Sequence, residues 1–407
     1  MKGWVGNVFP PLGFPLMPIR PRTRTAQSRL RDDEVLDAAV LEARDRGLDA
    51  LGMHAVARRL GLSAGAVYSR HETVGELMVA MWQQRCSEPV VRLISAVNRA
   101  AGLGETGTVD AWIVGDPTLT VGIEMIAIAH RYPELAEVLI PDVDAALDWS
   151  TLSDVDRARV AFLLGFVIGR SIYSGVDEVS EDLWRGVLMF LLPATRVEPM
   201  SLEAGWRPQL GREVLAETGE PLRDALVNAA STVIGSVGLE AATNSRISRR
   251  AGLTPGAVYT LYSTKDELLV DAIRILLDDA IRDNDPIAFR AGDRSQMGEV
   301  SAHLLSRGGG EARRPWLRFR LEAYIAALHR PHLAAVLADI HAVGRARYDD
   351  MLNSTGLAPN LIALVALVGQ SIPLGLAVLD RYIDGLENVD YRPVTIPLLS
   401  SVARLAE

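Results

Sequence analysis

Apolar residues recur at helical spacing in two separate stretches of the chain, and a glycine ends each stretch. In the first stretch the apolar positions are Val35, Leu36, Ala39, Val40 and Ala43, and the glycine is Gly47. In the second stretch they are Leu226, Ala229, Ala230, Val233, Ile234 and Val237, and the glycine is Gly238. Steps of three and four residues place these side chains on one helix face, and glycine commonly follows a helix end. Each stretch is therefore predicted to be an amphipathic helix.

The same short pattern follows both predicted helices. A second helix is predicted at about residues 53–60 in the first copy and 244–251 in the second, and a Gly-Leu pair breaks it. Ser63 and Thr254 then stand where the N-cap of another short helix is expected. Two short helices joined by a glycine-containing turn form a helix-turn-helix, so the pattern predicts one such motif in each half of the chain.

The two patterns are copies of one sequence. Residues 47–77 and 238–268 align without a gap at an offset of 191, and 14 of the 31 pairs are identical. Further parallels join residues 122–135 with 320–333 at an offset of 198, and residues 167–172 with 367–372 at an offset of 200. Because these parallels extend through both halves, they indicate a duplicated domain and not a short solenoid repeat.

The overall composition is that of a globular protein without a general affinity for nucleic acid. Of 407 residues, 49% are hydrophobic and 23% are charged, and the net charge is −9, so any DNA binding must come from local patches. Cys86 is the single cysteine, which excludes an internal disulfide and fits a cytoplasmic protein. No motif indicates an enzyme or a cofactor, and His329 and His332 lack a third ligand for a metal.

The N-terminal segment is locally basic. Residues 1–31 contain no acidic residue and six basic ones, Lys2, Arg20, Arg22, Arg24, Arg29 and Arg31. An arginine arm ahead of a DNA-binding domain commonly reaches phosphates or the minor groove, and a solvated tail is the alternative interpretation. Prolines interrupt the apolar residues that precede this arm, so no membrane association is expected, and whether Met1 or Met17 is the start stays open.

The short helix after each Gly-Leu break carries groups that suit DNA. Its members pair across the copies as Gly65 with Gly256, Val67 with Val258 and Tyr68 with Tyr259. The valine can anchor the helix in the core, while phenol, hydroxyl and amide donors at a helix start suit phosphate oxygens. Side chains one turn further along reach base edges in the major groove. The alternative is that the two tyrosines are half-buried packing residues.

These motifs resemble the tetracycline-repressor-like (TetR) family of transcriptional regulators. The second copy matches the family signature closely, at Gly238, Ile247, Gly252-Leu253-Thr254, Val258-Tyr259, Tyr262, Thr264-Lys265 and Glu267-Leu268. The first copy matches more loosely, at Gly47, Val56-Ala57, Gly61-Leu62-Ser63, Val67-Tyr68, His71, Thr73-Val74 and Glu76-Leu77. The family lysine that opens the fourth helix touches phosphate, so Val74 removes a contact that the arginine arm is expected to offset.

The resemblance implies an all-α fold of two tandem TetR-like units, each with an N-terminal helix-turn-helix headpiece and a C-terminal helical core. The expected domains are a flexible basic arm (1–27), a first headpiece (28–84), a first core (85–195), a linker (196–216), a second headpiece (217–280) and a second core (281–407). Family members dimerise through their last two helices, here expected near 157–174, 180–192, 359–380 and 393–405. The two units are therefore expected to form an intrachain pseudo-dimer, with a further homodimer of whole chains as the alternative.

The implied function is sequence-specific binding of a double-stranded DNA operator by a repressor that a small apolar ligand releases. The residues expected to contact DNA are Arg22, Arg24, Arg29, Ser63, Ala64, Gly65, Tyr68, Ser69, Arg70, His71, Thr254, Pro255, Gly256, Tyr259, Thr260, Tyr262 and Lys265. Because the two headpieces differ at these positions, an asymmetric operator is expected. The rival interpretation is a degenerate module that binds a protein partner and no longer reads DNA.

The two helical cores are expected, by the same resemblance, to hold the ligand. The candidate lining residues are Trp112, Met125, Trp149 and Phe166 in the first core and Trp316, Phe319, Tyr324, His341 and Tyr348 in the second. Aromatic residues at helical spacing more often serve packing, which is the alternative interpretation for each of them.

Overall fold

A computed structural model describes residues 26–103, 116–176, 181–194, 206–354, 356 and 359–404. All regular secondary structure in these ranges is helical, as the duplicated helical pattern predicts. Within the same ranges, no helix has both the length and the apolar character needed to cross a membrane.

The described residues of the first half form nine α-helices. They are α1 (Ala26–Arg46), α2 (Met53–Arg59), α3 (Ala64–Tyr68), α4 (Val74–Met81), α5 (Ser87–Leu103), α6 (Pro117–Ile128), α7 (Pro133–Leu147), α8 (Asp154–Tyr173) and α9 (Glu181–Ala194). A π-helical turn at Trp82–Cys86 connects α4 to α5 without a loop. Helices α1 to α4 form the first headpiece, and the later helices form a core beneath it.

The second half repeats this order. Its helices are α10 (Pro221–Ala241), α11 (Asn244–Arg250), α12 (Lys265–Ala288), α13 (Met297–Arg307), α14 (Arg314–His329), α15 (Pro331–Ser354), α16 (Pro359–Leu379) and α17 (Arg392–Arg404). Helix α10 corresponds to α1, and α14 to α17 correspond to α6 to α9. The last two helices of each half lie within three residues of their predicted bounds.

The element that follows the turn differs between the two headpieces. In the first it is the predicted α-helix α3, with the Ser69 amide donating to the Gly65 carbonyl at 3.0 Å. In the second it is only a 3-10 turn at Val258–Thr260, in which the amide of Tyr259 donates to the Gly256 carbonyl at 3.1 Å. At the start of this element the two copies differ by Pro255 in place of Ala64, whereas the glycine that follows is shared as Gly65 and Gly256.

The fold of both headpieces depends on matching local signals. Gly47 and Gly238 have φ values of +87° and +80°, which favour glycine, and each ends the straight part of its first helix. Capping boxes begin the fourth helices: Thr73 Oγ1 accepts from the Glu76 amide at 3.1 Å, and Thr264 Oγ1 accepts from the Glu267 amide at 3.1 Å. Because both copies keep these signals, the backbone turns at equivalent positions in the two headpieces.

Helices α8 and α16 make the closest contact between the two halves. A Cβ atom at Gly169 would overlap the Ser371 carbonyl oxygen, and one at Gly375 would overlap the backbone of Gly165. The two backbones therefore touch, which glycine alone permits at this separation. Around them Phe162, Phe166, Ile372 and Val378 are buried.

The described part of the connecting segment, residues 206–220, lacks helical structure and is fastened to the second half. The Trp206 ring stacks on His303 at 4.5 Å between centroids and lies 4.8 Å from the Arg392 guanidinium. The Ala216 amide donates to Asn228 Oδ1 at 2.8 Å. This segment therefore packs on the second half and does not hang free.

Substituting Gly169 with alanine should destabilise the protein, because the added methyl group separates α8 from α16. We expect the free energy of unfolding to fall by about 1–3 kcal/mol or more, as measured by urea unfolding. The matched control is Gly369→Ala at the equivalent position of α16, where a Cβ meets nothing within 4 Å. That control should be neutral or stabilising by up to about 1 kcal/mol, and equal losses in the two variants would contradict the close crossing.

Candidate nucleic-acid interface

The first headpiece exposes the predicted DNA-contacting face of α3. Ser63, Gly65, Tyr68 and Ser69 are exposed and Ala64 is half-buried. Burial of Val67 holds the helix against the core, so that Tyr68, which is 46% exposed, lies at the surface. The Ser63 hydroxyl makes no capping bond, which leaves it available to a phosphate oxygen.

The second headpiece exposes the equivalent positions. Thr254, Pro255, Gly256, Tyr259 and Thr260 are all exposed. Val258 is fully buried, as Val67 is in the first headpiece, while Tyr259 is 64% exposed. The packing interpretation of Tyr68 and Tyr259 therefore does not fit the structure, and each turn presents a phenol to solvent.

Two residues predicted to face DNA are instead directed inward, which corrects the sequence-based assignment. Tyr262 is only 7% exposed, and its hydroxyl donates to Asp271 Oδ2 at 2.6 Å. Lys265 Nζ donates to the Leu239 carbonyl oxygen at 2.8 Å, and burial lowers the pKa of this amine. The Tyr262 bond joins the 3-10 turn to α12, and the Lys265 bond joins the start of α12 to the end of α10.

Arg70 also serves the interior of its headpiece. Its Nε atom donates to Asp32 Oδ1 at 2.6 Å, its Nη1 atom donates to the Ala66 carbonyl, and its side chain is 17% exposed. The ion pair joins α1 to the residue after α3, so Arg70 is a structural residue in this conformation. His71 beside it is half-buried.

The arginine arm lies mostly outside the described residues. Arg22 and Arg24 precede residue 26, where the description begins, and Arg29 belongs to α1 although its side chain is not described. Their expected contact with DNA therefore stays a prediction.

Basic residues of α11 form part of the same surface, although they were not among the predicted contacts. Arg249 and Arg250 are exposed in its last turn, and within the described ranges neither side chain makes a hydrogen bond or an ion pair. In the first headpiece, by contrast, Arg59 donates to Glu42 Oε2 at 3.0 Å and to Asp45 Oδ2 at 2.8 Å. The three arginines within the seven residues of α11 were the sequence signal for this patch.

Ion pairs beneath the headpieces connect the two halves at equivalent positions. Arg131, at the end of the α6 segment, donates through Nε to Glu322 Oε1 at 3.1 Å in the other half. His329, at the end of α14, hydrogen-bonds Glu124 at 3.1 Å across the same boundary. Burial raises the pKa of Glu322 to about 8, while the Arg131 guanidinium acts in the opposite direction.

The same groups also touch the headpieces. Glu124 Oε1 accepts from the Leu48 amide at 3.0 Å, and a Cβ at Gly47 would lie 2.7 Å from the His329 ring. Arg131 Nη1 donates to Asp49 Oδ1 at 2.8 Å. The first headpiece is therefore held by groups from both halves of the chain, and a displacement of α6 or α14 would reach it directly.

A cavity of about 620 Å³ lies within the second half, among α12 to α17 and the adjoining faces of α8 and α9. Of the predicted ligand residues whose side chains the structure describes, only Trp316 and His341 line it. Met125, Phe166, Phe319 and Tyr324 are buried in the cores instead, and Trp149 is half-buried with the Arg157 guanidinium 5.9 Å from its ring. Trp112 and the side chain of Tyr348 lie outside the described residues.

The headpieces match a known family of regulators. The sequence profile of the bacterial regulatory proteins of the tetR family matches residues 35–81 and 226–272, one range in each headpiece. The profile covers neither helical core, so it bears on the headpieces alone.

Individual relatives are regulators of transcription. The chain is 42% identical over 73 residues to the HTH-type transcriptional regulator BetI of Rhizobium meliloti, covering 18% of this chain and 36% of that protein. It is 36% identical over 109 residues to BetI of Agrobacterium fabrum, covering 26% of this chain and 52% of that protein. The matches thus span about half of these relatives or less. A solved structure, multidrug binding protein EbrR complexed with imidazole, aligns over 46% of this chain and 97% of its own, with 23% identity and a TM-score of 0.30.

Substituting Tyr262 with phenylalanine should destabilise the second headpiece by about 1.5–3 kcal/mol, because it removes a bond to a carboxylate. Burial opposes ionisation of Asp271, but Arg223 and Tyr262 lower its pKa below the usual range. The bond therefore contributes fully above about pH 4 and is lost as the pH falls through the lowered pKa.

Urea unfolding at pH 7 and at pH 3 would measure this effect of Tyr262→Phe. The control is Tyr259→Phe, whose hydroxyl is exposed and should contribute nothing to stability. Equal effects of the two substitutions at pH 7 would show that the buried hydroxyl is unimportant.

Proposed function

We propose that this chain is a regulator with two tandem units of the tetR type, and that both of its headpieces, each of which matches the profile of that family, bind a single DNA operator. The observation that carries the proposal is the matched exposure of the two turns. Each presents a hydroxyl at its first residue and a tyrosine one turn later, above a fully buried valine. Hydroxyl and amide donors in this arrangement suit phosphate oxygens, and the neighbouring side chains suit base edges.

The contacts of the second headpiece include Arg249 and Arg250 in this proposal. Lys265 is turned inward, so these exposed guanidinium groups supply the positive charge that its surface needs. In the first headpiece Arg59 is paired with Glu42 and Asp45, and the arginine arm supplies the charge there. The two headpieces thus obtain phosphate affinity from different parts of the chain.

A single chain takes the place of a homodimer in this proposal. The backbone contact between α8 and α16 and the reciprocal pairs Arg131–Glu322 and His329–Glu124 support this intrachain pseudo-dimer. It would place the headpieces on successive major grooves, about 34–36 Å apart.

Helix α14 offers a route by which a ligand in the cavity could release DNA. Its side chains Trp316 and Arg320 line the cavity, and Glu322 and His329 on the same helix contact groups that hold the headpieces. A ligand that prefers a shifted α14 would therefore change the spacing of the headpieces and weaken operator binding. This is the repression and release that we propose.

The double variant Arg249→Gln/Arg250→Gln should weaken operator binding and make it less dependent on salt. Losing two phosphate contacts should reduce the slope of log K against log salt concentration by about 1.8. Gel shifts at several salt concentrations would measure this slope, with an operator selected from random duplexes. Arg207→Gln, in the exposed connecting segment, is the control and should change nothing. If the wild-type chain selects no duplex at all, the rival role of binding a protein partner replaces ours.

The preferred operator should have two different half-sites. After the turn, one headpiece has Ser63, Ala64 and Ser69 where the other has Thr254, Pro255 and Thr260. We expect one chain per operator, as measured by the mass of the complex in solution. We also expect a palindrome made from either half-site alone to bind more weakly than the natural operator, as measured by exchanging half-sites. Tightest binding to a perfect palindrome, or two chains per minimal operator, would contradict the proposal.

A further inference from the structure

One end of the large cavity is polar because of Arg320. Its Nη2 atom donates to Gln370 Oε1 at 3.4 Å, and its guanidinium carbon lies 5.4 Å from the Tyr324 ring centroid. Its Nε atom is buried and has no hydrogen-bond partner within the described part of the chain. A buried guanidinium donor without a partner costs free energy, and an acceptor placed in the cavity would recover it.

No acidic side chain offsets this charge among the described residues that line the cavity. Arg345 lines the cavity and is exposed, and Arg313 also lines it but is paired with Asp283. Burial, followed by the charges of Arg320 and Arg345, lowers the pKa of His341 to about 3, so this ring is neutral and bonds the Tyr324 hydroxyl. The cavity is therefore positive at one end, and a bound cation would be repelled there.

The remaining wall is mostly apolar, with Asn284, Ser301 and Thr395 among its polar members. It is formed by aliphatic side chains that include Leu277, Ile281, Leu304, Val368 and Ile372. The volume of about 620 Å³ falls in the range of about 300–1,000 Å³ that is usual for small-molecule sites. An apolar body of ordinary metabolite size fits this wall, and a single acidic group fits the Arg320 end.

The equivalent positions of the first half are built differently. Gly122 corresponds to Arg320, and a Cβ there would already lie 2.5 Å from the Val90 side chain. Val143 corresponds to His341 and is buried in the core. Among the described residues, this polar end is therefore built only in the second half, which indicates one site of this kind per chain.

We propose that the cavity of the second half binds one amphipathic carboxylate per chain, with the acidic group on Arg320 and the apolar body along α12, α13 and α16. This sharpens the small apolar ligand expected from the sequence into an acid with an apolar body. A regulatory role of this acid rests on the proposed operator binding, whereas the binding of the acid to the cavity does not.

Isothermal titration calorimetry with the full chain would test this proposal. The probes are octanoate, decanoate and dodecanoate, with decan-1-ol and decyltrimethylammonium as neutral and cationic controls. At least one acid should bind with a stoichiometry of one, and at least tenfold more tightly than either control. Equal or tighter binding of the cation, or no binding of any acid at millimolar concentration, would overturn the proposal.

Variants would locate the site. Arg320→Gln should weaken binding of the acid tenfold or more and leave decan-1-ol unchanged, whereas Arg318→Gln, exposed on the same helix, should change neither. Ser301→Phe would put a ring into the cavity without touching Arg320, and should abolish binding of both compounds. Unchanged acid binding in both Arg320→Gln and Ser301→Phe would refute the site.

A gel shift with the acid separates this proposal from the proposed function. Acid that binds through Arg320 but leaves operator affinity unchanged would overturn ligand release and keep the ligand class. The opposite result is also possible to distinguish. If Arg320→Gln still binds the operator and binds the acid as tightly as the wild type does, the proposed ligand class is wrong and DNA binding stands.

Discussion

The backbone contact between α8 and α16 is the constraint on which the arrangement of the two halves depends. Gly165, Gly169 and Gly375 let the helices approach until side chains have no room between them. Large apolar side chains then fill the space on either side of the crossing, including Phe166 and Val378. Because the contact is made by backbone, it fixes one crossing point, and the headpieces above inherit their relative position from it.

Reciprocal contacts between the two halves connect this crossing to the headpieces. Glu124 and Glu322 occupy equivalent places on α6 and α14, and each is paired with a cationic or imidazole group of the other half. The partners are no longer identical, since one is Arg131 and the other His329. Duplication within one chain allows such a divergence, whereas a homodimer must change both copies together. The cavity shows the same divergence, because only the second half places an arginine at its polar end.

Much of the fold could be predicted from the sequence, because the helical spacing of apolar residues and the glycines that end helices are local signals. They located both headpieces and the two turns at whose surface Tyr68 and Tyr259 lie. The same local signals failed for Tyr262 and Lys265. Their partners, Asp271 and the Leu239 carbonyl, lie 9 and 26 residues away along the chain, so a motif cannot show the contact. Arg70 was misread for the same reason, since Asp32 lies 38 residues away.

The ligand residues show where prediction from the sequence ends. An aromatic residue at helical spacing looks the same whether it fills a core, as Phe319 does, or borders a cavity, as Trp316 does. By itself the sequence determined the helical class, the duplication and the surface that each turn exposes, because these follow from residues close together in the chain. The tertiary structure alone decided where a cavity opens, which charges stay unpaired in it and which cations turn inward. Those outcomes depend on packing between helices that are distant in sequence.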